Sequence, residues 1–390
     1  MKDNFLINRQ ISTECAKSKK SILCLGPRQV GKSTLMASLH PDISINLAKE
    51  ATYLAFSSNP NELEERMSAL RSGTIFIDEV QRLPSLLNTI QALIDEHQER
   101  YRFLLTGSSA RKLKRGNANL LPGRVHVYYL GSLTCEELQF HINIKEALAF
   151  GTLPGTITTK DENEKKLTLT SYAATYLKEE IQAEALTKNI EGFARYIYVV
   201  AAEVTHFLDF TKLASEAMIS RQAAIRFFEI LEDTLIIKRV ESFSKSIRKR
   251  LIQHPRFFFF DVGVLNGLMN NFSVSADRIG MLFEHFIYNQ LTEYFTSHHQ
   301  AFRISSYRTE HGAEVDFILE YHDEIIAIEI KASKNVTAMD CRGLKNFKKY
   351  VGKNARLILL CLTDQKKIIE GVEIIPWQQF FSHINLKSKL

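Results

Sequence analysis

Apolar runs and polar breaks divide the 390-residue chain into three stretches with different rhythms. From residue 21 to about 130, short apolar runs alternate with helical stretches. "SILCLG" (21–26), "TIFID" (74–78), "YRFLLTG" (101–107) and "VHVYYL" (125–130) predict buried strands, and "LLNTIQALIDEH" (86–97) predicts a helix between two of them. That alternation is the pattern of an α/β domain with a mostly parallel sheet. Residues 134–200 are expected to be largely helical, broken by "GTLPGT" (151–156) and the polar "TTKDENEKK" (158–166). Between Asp209 and Phe243, Leu213, Ala214 and Ala217 share one helical face, and Ile225, Phe228 and Leu231 share another. The turn "ISR" separates them and "LIIKRV" follows as a strand, so the order is that of a winged helix. After residue 276 a long helix precedes "FRISSYR", "EVDFILEY" and "EIIAIEIK", then another helix and "ARLILLCL" (355–362). With linkers near 150–165 and 268–278, three domains are expected, over 1–150, 151–270 and 271–390.

Composition changes this picture little. Apolar residues make up 45% and charged residues 24%, the balance of a soluble, folded protein. No apolar run approaches the roughly 20 residues needed to span a bilayer. The start, "MKDNFLINRQ", lacks the apolar centre of a signal peptide. A cytoplasmic location without membrane contact is expected. Five cysteines, at 15, 24, 135, 341 and 361, have no metal-ligand spacing and suit reduced thiols. The net charge of +6 points modestly towards an anionic partner.

The chemistry begins at "GPRQVGKST", residues 26 to 34, which fits G-x-x-x-x-G-K-[ST]. Gly26, Pro27, Arg28, Gln29, Val30, Gly31, Lys32, Ser33 and Thr34 would form a backbone cradle for the phosphates of ATP at a helix N-terminus. Lys32 would meet the β- and γ-phosphates and the Ser33 hydroxyl would ligate Mg²⁺. "TIFIDEVQRLP" then ends a strand in Asp78 and Glu79. Asp78 would help hold Mg²⁺, and Glu79 would polarise the attacking water. Ser108, at the end of "FLLTGSS", would sense the γ-phosphate, and a turn-forming serine is the plainer alternative. Arg124, in "LPGRVHV", would reach phosphate in its own or a neighbouring subunit of a homo-oligomer, with a surface ion pair as the alternative.

In this order the residues resemble the AAA+ superfamily of P-loop ATPases. More narrowly, "GPRQVGKST", "FIDEVQ", "LLTGSSARKL" and "LPGRV" resemble a widespread prokaryotic group with a C-terminal domain of unknown function. Two positions depart from that group: "GTLPG" (151–155) stands where a Gly-Gly-Phe-Pro-Glu-like element is usual, and Cys135 where Phe is usual. Both lie outside the phosphate site.

Polar residues on core-like strands mark a second site. Side chains alternate faces along a strand. A hairpin of "EVDFILEY" and "EIIAIEIK" would therefore bring Asp316, Glu329 and Lys331 together. Two carboxylates and the Ile330 carbonyl would suit a divalent metal, and Lys331 would position water or stabilise phosphate charge. Glu284, among apolar residues of "GMLFEHFIYNQL", would be a third acidic ligand. Glu284, Asp316 and Glu329-x-Lys331 resemble the PD-(D/E)XK nuclease superfamily, and the resemblance implies that fold from 271 onward. The alternative is an inert domain in which Glu329 and Lys331 simply pair. Arg221, Gln222 and Arg226 would form the exposed face of a recognition helix, with "SIRKR" (246–250) as a basic wing tip. These features together predict an ATP-hydrolysing AAA+ protein that acts on nucleic acid, DNA in preference, through a metal-dependent nuclease-like domain. The rival expectation is a nucleotide-dependent switch or scaffold carrying a catalytically inert docking domain.

Overall fold

A computed structural model describes residues 7–97, 100–108, 121–172, 174, 189–244, 255–309, 312–352 and 355–383. The chain divides into two compact units, one of residues 1–131 with 230–236, the other of 132–229 with 237–390.

The first unit carries five strands, β1 (Ser21–Leu25), β2 (Ile43–Asn46), β3 (Gly73–Asp78), β4 (Tyr101–Gly107) and β5 (Val125–Tyr129). They pair in the order β2-β3-β4-β1-β5, and every pairing is parallel. The central strands are buried along most of their length, because parallel strands are covered on both faces. The edge strand β5 exposes Val127 and Tyr129. Strand order fixes the chemistry. β4 lies between β1, which leads into the glycine-rich loop, and β3, which ends in the acidic pair. The end of β4 therefore sits between loop and carboxylates. Helix α1 (Lys32–Ala37) follows the loop, and α2 (Leu86–Glu96) follows β3, burying Leu86, Leu87, Ile90 and Leu93.

The second unit contains α3 (Phe210–Glu216) and residues 221–229 of α4 (Arg221–Asp233), the two helices of the helix-turn-helix stretch. Asp209 caps α3 by accepting from the Thr211 and Lys212 amides. Strands β6 (Ile237–Ser242) and β7 (Arg256–Phe259) pair antiparallel. The basic "SIRKR" stretch between them lies outside the described residues. Then come α5 (Val262–Met269), α6 (Ile279–Ser297), β8 (Phe302–Arg308), β9 (Glu314–Tyr321), β10 (Glu324–Lys331), α7 (Arg342–Val351), β11 (Ala355–Cys361), β12 (Lys367–Ile369), β13 (Val372–Pro376) and α8 (Trp377–His383). The sheet order is β12-β13-β11-β10-β9-β8-β6-β7. β9 and β10 form the expected hairpin, with Glu324 opposite Tyr321, and β11 joins β10 in parallel. Alternation sorts the core onto two sheet faces. Phe317, Leu319, Ile328 and Leu360 pack with Phe283, Phe286 and Ile287 of α6. Ile318, Ala327 and Leu359 pack with Leu344 and Phe347 of α7.

One buried carboxylate ties the helical part together. Asp261 caps α5 through the Gly263 and Val264 amides and also accepts from the Thr152 amide and the Ser132 hydroxyl. Gly151, at φ 68, is needed there, since a Cβ would fall 1.9 Å from Asp261 Oδ1. "GTLPG" is thus a backbone partner for Asp261. Cys135 is buried, and its amide donates to Gln290 Oε1 at 2.6 Å.

Candidate functional site

The loop from Gly26 to Thr34 turns tightly between β1 and α1. Gly31 has φ 93 and Gln29 φ 63, a left-handed pair that turns the chain into the helix. A Cβ on Gly26 would fall 2.0 Å from the Leu130 carbonyl, so glycine is required where the loop passes the end of β5. Arg9, to which the sequence patterns drew no attention, donates to the Val30 carbonyl at 2.6 Å and to the Gly131 carbonyl at 2.9 Å.

Lys32 is buried, and its ammonium donates to the Gly26 and Pro27 carbonyls at 2.9 and 2.7 Å. Burial lowers its pKa, opposed by Glu79 and Asp78. Ser33 Oγ donates to Asp78 Oδ1 at 2.7 Å, and Thr106 Oγ1 donates to the same oxygen. A hydroxyl and a carboxylate thus converge at the ends of β1 and β3, as Mg²⁺ ligands would, and this donor set fits the cation. Thr106 in turn accepts from the Glu79 amide at 3.1 Å. Glu79 stands at φ 60, and its carboxylate accepts from Gln81 Nε2. That nitrogen also donates to Ser108 Oγ at 2.9 Å. Ser108 is fully buried and joined to the acidic pair through Gln81. Thr106 and Gln81 were not singled out from sequence; each sits two positions from a residue that was, Ser108 and Glu79. A cleft of about 890 Å³ opens beside Ser33, Thr34, Asn46, Lys49 and Asp78.

Arg124 lies apart from this network. Its Nε and Nη2 donate to Asp95 Oδ1 and Oδ2 at 2.6 and 2.7 Å, a forked pair at the surface. That geometry is the ion-pair alternative.

In the second unit, β9 and β10 stop pairing at Phe317 and Ile328. Just beyond, Asp316 Oδ2 accepts from the Ile330 amide at 2.7 Å, and Lys331 Nζ pairs with Glu329 Oε1 at 2.8 Å. Glu329 Oε2 is buried and has no hydrogen-bond partner among the described residues. Burial, then Asp316, pushes the Glu329 carboxyl up to about 8 against the pull of Lys331. Burial also raises Asp316, opposed by Arg256 and the Ile330 amide.

Glu284 is drawn to a different partner. Arg256, the first residue of β7, pairs with Glu284 Oε1 through Nη2. Its Nε donates to the Thr205 carbonyl at 2.6 Å, and its Nη1 reaches the Asp316 carbonyl at 3.5 Å. The guanidinium lies 5.3 and 5.9 Å from the ring centroids of Phe258 and Phe317. Burial, then Asp316, lifts the Glu284 carboxyl to about 8 against Arg256. Glu284, Asp316 and Glu329 feel one another electrostatically, yet among the described residues no three His, Cys, Asp or Glu side chains form a ready metal-binding group. Asp316 and Glu329, with its unpartnered oxygen, fit a divalent cation; Glu284 Oε1 is already taken.

The basic face of α4 is present as expected. Arg221, Gln222 and Arg226 are exposed, whereas Ala224, Phe227 and Phe228 are buried. Burial pushes the Cys24 thiol up to about 11 and raises Cys15, Cys135, Cys341 and Cys361 as well, which keeps all five protonated at neutral pH. Among the described residues no helix is long and apolar enough to cross a membrane.

Residues 18–139 match an AAA domain family, and residues 142–275 and 279–380 match two domains of unknown function, DUF8612 and DUF4143. Uncharacterized proteins of Mycobacterium tuberculosis and Mycobacterium bovis are each 26% identical over 319 residues, 80% of this chain and 70% of theirs. Among solved structures, a signal transduction ATPase with a tetratricopeptide repeat sensor from Pyrococcus horikoshii overlaps with a TM-score of 0.27 at 10% identity. That overlap takes in 73% of this chain and 46% of that one, so the chain spans less than half of that relative's length. PCH-2 of C. elegans overlaps with a TM-score of 0.28 at 14% identity, over 63% of this chain and 66% of that one. Scores of this size carry no argument. The first unit is an AAA-type P-loop domain with ATPase-like function, on the family match and its five-stranded parallel sheet.

Proposed function

We propose that this protein hydrolyses ATP in its first unit and acts on DNA through its second. The observation that carries the ATPase reading is the junction of Ser33, Asp78 and Thr106 beside the buried Lys32. Lys32 would exchange two neutral carbonyls for charged phosphate oxygens. Ser33 and Asp78 would hold Mg²⁺, which neutralises charge on the phosphates. Glu79, anchored by Gln81 and by its own amide on Thr106, would orient the attacking water, and Ser108 reports through Gln81 on the γ-phosphate. Arg124 joins this chemistry only where a second copy of the chain draws it from Asp95.

The DNA reading rests on the exposed basic face of α4 and on Asp316, Glu329 and Lys331 where β9 and β10 part. The helix-turn-helix stretch followed by β6 and β7 supports a winged helix, and the flanking sheet supports a nuclease-like fold. Asp316 and Glu329 would hold a divalent cation, which supplies an activated water or a counter-charge for phosphate. Lys331 would sit beside the scissile phosphate. The rival reading, a nucleotide switch with an inert second unit, draws on the capture of Glu284 by Arg256.

The test is ATP turnover, together with cleavage of linear and circular DNA, single and double stranded, in Mg²⁺ or Mn²⁺. Wild type is compared with Lys32→Ala and Lys331→Ala. Turnover lost only in Lys32→Ala, and cleavage lost in Lys331→Ala, is the expected result. ATP turnover without cleavage of any substrate would replace the nuclease reading with the switch. Turnover that survives Lys32→Ala would refute the ATPase assignment.

A further inference from the structure

Three carboxylates were expected to form one metal site, yet one of them has a resident cation. Arg256 is 3% exposed, and each of its three guanidinium nitrogens has an oxygen within hydrogen-bonding reach: Thr205, Asp316 and Glu284. Two of those oxygens are main-chain carbonyls, so its place is fixed by backbone rather than by Glu284. Two aromatic rings flank it, Phe258 on its own strand and Phe317 on β9. A guanidinium so held cannot leave by a rotamer change, and it stays charged at any physiological pH. A cation arriving at Glu284 would meet this fixed charge at hydrogen-bond distance.

Asp316 and Glu329 are different. Asp316 spends one oxygen on the Ile330 amide, which sets its orientation and leaves the other. Glu329 gives one oxygen to Lys331 and keeps a buried oxygen without a hydrogen-bond partner among the described residues. Lys331 is 38% exposed and can withdraw towards solvent, unlike Arg256.

We infer that Arg256 removes Glu284 from the metal site, leaving a single divalent cation to Asp316, Glu329 and the Ile330 carbonyl, with Arg256 and Glu284 as a neutral positioning pair. The inference rests on the metal-dependent reading of the second unit. It makes Glu284 a group that acts through Arg256 and keeps a second cation out, since Arg256 supplies the charge that such a cation would bring.

The decisive variant replaces the pair together. Mn²⁺ binding to the full chain without nucleotide is followed by calorimetry and by electron paramagnetic resonance, for wild type, Glu329→Gln, Arg256→Met and Arg256→Met/Glu284→Gln. Binding at this site is defined as the component that Glu329→Gln weakens by about 10–100-fold, the loss typical of metal-site substitutions. At a pH where Glu284 is ionised beside Arg256, one Mn²⁺ is expected in wild type and one in the double variant, with affinities within about threefold, because a net-neutral pair has been exchanged for a neutral one. Arg256→Met alone frees Glu284 and should tighten binding about tenfold, with an altered Mn²⁺ spectrum as an oxygen ligand is added. A double variant as weak as Glu329→Gln would make Glu284 a ligand and overturn the inference while the metal reading stands. Two Mn²⁺ in wild type would overturn it as well. No component sensitive to Glu329→Gln would overturn both this inference and the metal reading.

Discussion

At about pH 9, removing Glu284 alone should cost far more stability than removing Arg256 alone. Above about pH 8, where Glu284 is ionised, Glu284→Gln keeps the shape of the side chain and deletes its charge. The guanidinium that remains is 3% exposed and fixed by the Thr205 and Asp316 carbonyls. It cannot discharge by losing a proton. An uncompensated buried charge costs about 3–5 kcal/mol. Arg256→Met leaves a carboxyl instead, and burial lifts that carboxyl to about 8 even with Arg256 in place. Without Arg256 it keeps its proton to a higher pH still, and the loss shrinks to that of the hydrogen bonds, about 1–3 kcal/mol. The double variant should lie near wild type.

The protein supplies the probe. Its single tryptophan, Trp377, is buried with its ring 5.2 Å from Phe286, two residues beyond Glu284 on α6. Urea unfolding followed by Trp377 fluorescence therefore reports the unit that holds the pair. The pH dependence has a defined sign. Glu284 and Glu329 titrate near 8 when folded and near about 4.3 when unfolded, so the folded chain holds extra protons between these values. Their contribution to stability is complete below about 4.3 and is lost as pH rises towards about 8. Arg256→Met removes a cation that opposes this, so its stability should fall more steeply across the same window. Arg256→Met as costly as Glu284→Gln at about pH 9, with no steeper fall towards pH 8, would refute the reasoning.

Three other outcomes are expected. Glu79→Gln should bind ATP as wild type does and turn it over about 10²–10⁴-fold more slowly, the range for a lost general base, in a single-turnover assay. Gly151→Ala places a methyl group 1.9 Å from Asp261 Oδ1 on backbone at φ 68, and should lower the unfolding free energy read from Trp377 fluorescence by more than about 1 kcal/mol. Arg124→Ala should slow ATP turnover per chain at concentrations where chains associate and not at high dilution; unchanged turnover throughout would leave Arg124 as the surface partner of Asp95.

Periodicity located most of the strands, because buried runs in a parallel sheet are apolar without interruption. "SILCLG", "TIFID", "YRFLLTG" and "VHVYYL" became β1, β3, β4 and β5 with ends shifted by a residue or so. The strand β2, "ISIN", escaped notice. It has four residues, only one of them buried, and so carries no hydrophobic run. The phosphate loop was legible because its ligands are consecutive. Thr106 was not, because its role depends on β4 lying between β1 and β3, a matter of strand order that no local pattern encodes. Arg256 was missed for the same reason, being 28 residues from Glu284 and 60 from Asp316. A signal was nonetheless present: "RFFFF" puts a cation at the head of an apolar run. A charge in a core strand demands a counter-charge, and Glu284 sits among the apolar residues of "MLFEHF" in the same way.

Lys32 and Arg256, both buried, are held in different ways, and the difference separates exchange from permanence. Lys32 rests on neutral carbonyls of its own loop, at Gly26 and Pro27. Phosphate oxygens offer the same geometry with full charge, so a nucleotide can take these donors while the loop keeps its backbone path. Burial lowers the ammonium's hold on its proton, and Glu79 and Asp78 oppose that loss. Arg256 has no comparable exchange to make. Its strongest partner is already a carboxylate, its remaining donors are held by carbonyls of separate segments, and its faces are lined by rings. A ligand competing for it would have to displace Glu284 and leave that carboxylate buried. The first site is thus arranged to hand a cation to an incoming anion. The second is arranged to keep one, which confines any exchange there to Asp316, Glu329 and the partly exposed Lys331.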